Sequence, residues 1–286
     1  TSRRQFANHE HFDDISPEVG ELDEEAVDRA LDDDPDETLA LLAELTGATD
    51  ERLRVRAKAL AGRLFLDLAR RGPSAPRGVG RLETQRYRRD LDVDASLDAL
   101  VAARSGGTVV DPDELRVRSW STPSTAFCLL VDRSGSMAGR ALATAAVAAS
   151  AVAWRAPDDY SVLSFGKDVV AAKSQDTVKG SDAVIDAVLA LRGFGTTDLA
   201  GALVAAADQL ARTRASRRIT ILLSDCRATV PGDVVAAARR LDELVIVAPE
   251  TDDAEARDLA ERVGARITTV SGPSDAAGAL TRVLDP

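Results

Sequence analysis

Ala126-Phe127-Cys128-Leu129-Leu130-Val131-Asp132 is a run of six apolar residues closed by a carboxylate. It is too short for a core helix and apolar on consecutive positions, the pattern of a strand buried on both faces. Downstream the same kind of segment recurs at intervals: YSVLSF at 160–165, RITILLSD at 218–225, LVIVA at 244–248 and ARITTV at 265–270, with a shorter edge strand at Val169 to Ala172. Between them lie stretches with helical periodicity: one ending at Trp154, then Asp182 to Leu191, Asp198 to Arg212, DVVAAARRLDE at 233–243, Ala254 to Val263, and a last one from Ser274. Strands alternating with helices of this length predict an α/β fold over residues 124–286, a doubly wound, mostly parallel sheet with helices on both faces.

Upstream the pattern changes. Asp34-Pro35 opens a helix with proline at its first position, and ETLALLAELTG runs to a glycine stop at Gly47. A second helix starts near Thr49, with Leu53, Ala57, Leu60, Leu64 and Leu68 on one stripe, and closes at Arg70-Arg71-Gly72. Pro73, Pro76, Gly78 and Gly80 then form a linker. Residues 1–80 therefore read as a small N-terminal helical region, with a polar, mobile start, that must pack on another surface. Residues 81–123 form a bridging region with one short helix ending at Gly106-Gly107 and a strand in DELRVRSW.

The net charge of −11 is local: Glu10 to Glu37 holds fourteen acids against one base, and Arg52 to Arg89 holds twelve bases against two acids. Such blocks read as solvated helix faces or as partners of each other, with a docking surface as the sharper reading. Phe65 and Tyr87 are the only aromatics of the basic block, too few to stack bases, so no nucleic-acid partner is expected. No apolar run reaches the length of a membrane span and no signal peptide is legible at the start; Cys128 and Cys226 are too few for a disulfide scaffold or a zinc cluster. These features point to a cytoplasmic protein with no membrane partner.

In an open α/β sheet, the loops after the carboxyl ends of the strands converge at the point where the strand order reverses. Three such loops are polar here: Asp132-Arg133-Ser134-Gly135-Ser136-Met137, Gly193-Phe194-Gly195-Thr196-Thr197-Asp198, and the end of RITILLSD at Asp225. Two carboxylates with several hydroxyls are an all-oxygen donor set, suited to a hard divalent cation such as Mg²⁺ or Mn²⁺ and not to zinc.

Asp132-x-Ser134-x-Ser136, a later Thr-Asp pair and an aspartate closing a buried strand together resemble the metal-ion-dependent adhesion site of von Willebrand factor A domains. The resemblance covers about 160 residues from Ala126 on. It implies that Asp132, Ser134, Ser136, Thr197 and Asp225 form the metal shell, Asp225 through a water, with one coordination position left for an acidic side chain of a protein partner. Thr197 is chosen over Thr196 because the family places its threonine directly before the aspartate. The sequence departs from the family at Cys226, where glycine usually follows the last metal aspartate.

The helical, acidic and arginine-rich extension is similar to that of the CoxE-like group, which implies an adaptor working with a MoxR-type AAA+ ATPase to remodel or mature a client. Two other readings are a magnesium chelatase-like subunit, which normally brings an AAA-like segment not found upstream, and a surface adhesion protein, which calls for a secretion signal.

Enzyme readings fare poorly. His9 and His11 are the only histidines and lie far from the sheet in sequence, which leaves no Ser-His-Asp triad in the α/β part. The chain lacks GxxxxGK[ST], and Asp132 lacks the second aspartate of an aspartyl-phosphate enzyme. A binding module is expected, not an enzyme.

Overall fold

The computed structural model describes residue 6 and residues 9–71, 81–86, 91–121, 124–133, 139–193 and 195–285. The chain divides into two compact units, one made of Thr1–Ala75 with Thr125–Pro286 and the other of Pro76–Ser124.

In the smaller unit, strands β1 (Arg81–Arg86) and β2 (Arg116–Ser121) pair antiparallel, and the helix Leu97–Gly106 ends on the left-handed Gly107. Strand β1 was not foreseen in the bridging region. Ser96 ties the helix start to β2 by accepting from the Arg116 amide at 2.8 Å.

The larger unit holds the sheet. Strands β3 (Thr125–Asp132), β4 (Tyr160–Phe165), β5 (Val169–Lys173), β6 (Arg217–Leu223), β7 (Glu243–Pro249) and β8 (Arg266–Val270) lie in the order β5-β4-β3-β6-β7-β8. All neighbours are parallel except β5, which runs antiparallel at one edge. The fold is thus the expected doubly wound α/β sheet. From β3 the chain moves outward to β4 and later returns to the other side of β3 as β6, so the order reverses between β3 and β6. The crevice for a ligand belongs at the carboxyl ends of those two strands.

Alternation along the strands sorts the core into two layers. Phe127, Leu129, Val131, Ile219, Ile221, Val245 and Val247 face the helices Gly139–Arg155, Ser181–Leu189 and Pro273–Leu284, whereas Ala126, Cys128, Leu130, Leu222, Ile246 and Ala248 face Leu199–Leu210, Val234–Ala238 and Ala254–Val263. The expected helix over 233–243 is only Val234–Ala238 long. Both cysteines are buried free thiols in the second layer.

The 139–155 helix is alanine-rich and buried at every position from Leu142 to Ala153. A helix apolar all round needs cover on two sides. The sheet covers one; the N-terminal helices Pro35–Leu45 and Glu51–Arg71 cover the other, with Leu39, Ala43, Ala61 and Phe65 joining the same core cluster. The 35–45 helix is itself buried on both sides, since Leu41, Leu42 and Leu45 enter a second cluster with Phe6, Phe12, Ile15, Val27 and Leu53.

The start of the chain therefore corrects the expectation of a mobile segment: Phe6 and Phe12 are buried with ring centroids 5.5 Å apart, and the aromatic pair anchors what its polar neighbours made look loose. The helix Glu24–Asp33, also unforeseen, is capped by Asp23, which accepts from the amides of Glu25 and Ala26. Its acids hide a narrow apolar stripe of Ala26, Val27 and Ala30. No helix among the described residues is long and apolar enough to cross a membrane.

Candidate metal centre

Asp132 is the last residue of β3, and Asp225 follows β6 by two residues, so both emerge at the carboxyl ends of the central strands where the order reverses. They line one cavity of about 410 Å³ together with Ser224, with Arg140, Ala141 and Thr144 of the 139–155 helix, and with Thr251, Ser271 and Gly272 from the ends of β7 and β8. Asp132 is 9% exposed. Its Oδ2 accepts from the Ser224 hydroxyl at 2.5 Å, and that hydroxyl oxygen accepts from the Cys226 amide at 2.9 Å. Sequence reasoning missed Ser224, although a hydroxyl directly before the closing aspartate of a buried strand was a usable signal.

Thr197 precedes the helix Leu199–Leu210, which Asp198 caps by accepting from the Gly201 amide. The threonine is held by its backbone: its amide donates to the Thr229 hydroxyl at 2.7 Å, and its carbonyl accepts from the amides of Thr229 and Val230 at 3.1 and 3.2 Å. The loop carrying Thr197 is thus fastened to the loop that follows Asp225. The turn after β4 fastens the other side, because the Gly166 carbonyl accepts from the Asp198 amide while the Phe165 carbonyl accepts from the Arg133 amide. Arg133 adds a bond from its guanidinium to the Asp168 carbonyl at 3.2 Å.

With its backbone so engaged, Thr197 is 1% exposed and its Oγ1 finds no hydrogen-bond partner among the described residues. A buried hydroxyl left unpaired is costly, and a missing ion or water is a standard reason for one. Ser134 and Ser136 lie outside the described residues. Among the described residues, no group of three or more His, Cys, Asp or Glu side chains forms a metal cage. What gathers at this rim is a set of carboxylate and hydroxyl oxygens, and these donors fit a hard divalent cation.

Cys226 occupies the left-handed region with φ of 65°, the only described residue other than glycine to do so. The backbone bend that a glycine allows is kept with a cysteine in its place. The buried thiol is pushed up to about 12, first by burial and then by the negative charges of Asp225 and Asp132, so it stays protonated at neutral pH.

Residues of the N-terminal helices contact two of the residues that line the cavity, Gly272 and Arg140. Gly272 supplies no capping side chain to the helix Pro273–Leu284; Asp36, 238 positions away, accepts from the Ser274 amide at 2.9 Å instead. Asp36 packs so closely on Gly272 that a Cβ there would collide with its carboxylate. Glu37 places Oε2 3.8 Å from Arg140 Nε, and His9 sits between Glu37 and Glu44 at 2.7 and 3.2 Å. Gly139, left-handed at φ of 52°, lets Glu44 approach the start of the helix that follows Asp132.

Residues 127–227 match the sequence family described as von Willebrand factor type A domain. No curated protein matches the chain by sequence. Among solved structures, it is similar to proximal thread matrix protein 1 from the mussel byssus with a zinc-occupied MIDAS motif, at 13% identity over 57% of this chain and 47% of that one, with a TM-score of 0.48. It is also similar to a von Willebrand factor type A protein of Catenulispora acidiphila, at 15% identity over 56% and 42% with a TM-score of 0.43, and to manganese-loaded Plasmodium vivax TRAP protein, at 13% over 57% and 74% with a TM-score of 0.45. The matched part spans less than half the length of the first two of these proteins. Residues 127–227, from β3 to just past Asp225, are thus the part of this chain that is similar to von Willebrand factor type A domains.

Proposed function

We propose that the chain is a metal-dependent protein-binding module and not an enzyme. Asp132, Ser134, Ser136, Thr197 and Asp225 hold a Mg²⁺ or Mn²⁺ ion at the rim of the sheet, and the ion supplies an exposed positive charge with a position open to a carboxylate from a protein partner. The observation that carries this reading is the cavity lined by both Asp132 and Asp225, with the Thr197 loop tied to the loop that follows Asp225 and the buried Thr197 hydroxyl without a partner among the described residues. Ser224 orients Asp132, and the bonds from Thr197 to Thr229 and Val230 keep the second and third loops at a fixed separation, so the donors are pre-organised.

Both histidines are held among the N-terminal helices, His9 between Glu37 and Glu44 and His11 3.8 Å from Asp33. The biological setting we favour is an adaptor that presents a client to a MoxR-type AAA+ ATPase. Pull-down with wild type and Asp132→Ala, each with and without chelator, tests both layers. A partner captured by wild type in Mg²⁺ alone, and identified as such an ATPase or its client, is the expected result; capture that is indifferent to metal and to Asp132 overturns the module reading.

A further inference from the structure

Among the described residues lining the cavity that holds Asp132 and Asp225, Arg140 is the one cation; Thr144, Ser224, Thr251 and Ser271 supply hydroxyls. Arg140 has a more than half-exposed side chain, and its nearest acid, Glu37 of the 35–45 helix, stands 3.8 Å away, beyond hydrogen-bond length. An exposed pair this loose is held weakly and exchanges its carboxylate at little cost. The arginines on the neighbouring loops are committed elsewhere, Arg227 to Asp252 at 2.6 Å and Glu255 at 3.4 Å, and Arg133 to the Asp168 carbonyl.

We propose that Arg140 is the second anchor of the docking site: it receives a second acidic side chain of the partner segment, and Glu37 holds that place in the free chain. The inference rests on the metal-dependent reading above and narrows it from a partner with one acid to a partner segment with two. Charge placement favours it. Asp36 lies against Gly272, Glu37 beside Arg140 and Glu44 against Gly139, so an acid of the partner meets repulsion on that side unless it lands on the guanidinium, whose planar fork suits a carboxylate. Displacing Glu37 releases an acid that is already 30% exposed, so the exchange leaves no carboxylate buried.

The test uses the full chain in Mn²⁺ and two families of fluorescein-labelled Gly/Ser peptides, one with a single glutamate and one with two glutamates at spacings of one to four residues, read by fluorescence anisotropy. Wild type is expected to bind the best two-acid peptide about fivefold tighter than the one-acid peptide, the size of a modest ion pair. Arg140→Gln should erase that preference and leave one-acid binding and Mn²⁺ affinity unchanged. Glu37→Gln should tighten two-acid binding two- to threefold, a gain that misfolding cannot produce. A preference that survives in Arg140→Gln while both peptides still need Mn²⁺ and Asp132 overturns this inference alone. Loss of metal dependence in wild type overturns the reading beneath it as well.

Discussion

A carboxylate on the last residue of a central strand does two things here. Asp132 lines the cavity of the proposed metal site and accepts from the buried Ser224 hydroxyl. Asp132→Ala is therefore expected to abolish Mg²⁺ and Mn²⁺ binding while costing about 1 kcal/mol through the stranded hydroxyl. In calorimetric titration the variant should show no saturable heat, and divalent ions that raise the wild-type melting temperature should leave the variant where it is; undiminished affinity would remove Asp132 from the ligand set. Cys226 offers a second test at this scale. At φ of 65° a residue with a Cβ is strained by about 1–2 kcal/mol, and a β-branched one by more. Cys226→Gly should come out near neutral, strain relief offsetting the lost packing of a buried thiol, whereas Cys226→Val should lower stability by about 2 kcal/mol in thermal or urea unfolding. Equal losses in the two variants would show that packing and not backbone strain governs the position.

Elements are joined at their ends by side chains distant in sequence. Asp36 caps the last helix in place of the missing side chain of Gly272, so Asp36→Ala should cost about 1 kcal/mol and loosen the last helix first, seen as faster amide exchange at Ser274. Glu243, at the start of β7, takes Arg217 of β6 at 2.6 Å and Arg266 of β8 at 2.8 Å, stitching three strands. Hydrogen bonding and the charge of Arg217, joined by that of Arg266, hold its carboxyl below the usual value. A depressed carboxyl contributes stability that is fully present above the unfolded-state value of about 4.3 and is lost as pH falls through the lower folded-state value. Glu243→Gln should therefore cost about 1 kcal/mol at pH 7 and progressively less as pH falls through the folded-state value; a pH-independent difference would deny the ionic contribution. These joints also mark the boundary of what was legible. The strands from Ala126 on could be read because their apolar runs and helical intervals are local patterns, which also set Asp132 and Asp225 at strand ends; Thr197 is singled out only by the family resemblance. Strand β1 and the reach of Asp36 to Ser274 depend on pairings across the chain that no local periodicity encodes.

The N-terminal helices and the sheet share one core, and the reason lies in the 139–155 helix. Twelve consecutive buried positions, Leu142 to Ala153, are more apolar surface than one face of a sheet can cover, and Leu39, Ala43, Ala61 and Phe65 lie over the rest. The acidic and basic blocks of the sequence fit this arrangement: their apolar stripes point inward while charges remain outside, and Glu24 and Arg63 pair across the two blocks at 2.5 Å. A piece beginning at residue 124 would keep every proposed metal ligand yet expose the outer side of that helix. It is expected to bind a hydrophobic dye, to associate at micromolar concentration, and to melt far below the full chain. In the full chain Leu39→Ala, which opens a cavity at the same seam, should cost about 2–5 kcal/mol and shift the unfolding of the helices and of the sheet together, as one cooperative core requires. Sheet ellipticity and the fluorescence of Trp154 would report the two parts separately, since Trp154 ends the 139–155 helix with Arg70 of the N-terminal helices 5.2 Å over its ring. Coincident transitions in wild type and in Leu39→Ala support the shared core. An isolated 124–286 piece that stays monomeric and melts with the full chain would show instead that the sheet stands alone, and that the N-terminal helices serve only the rim of the site.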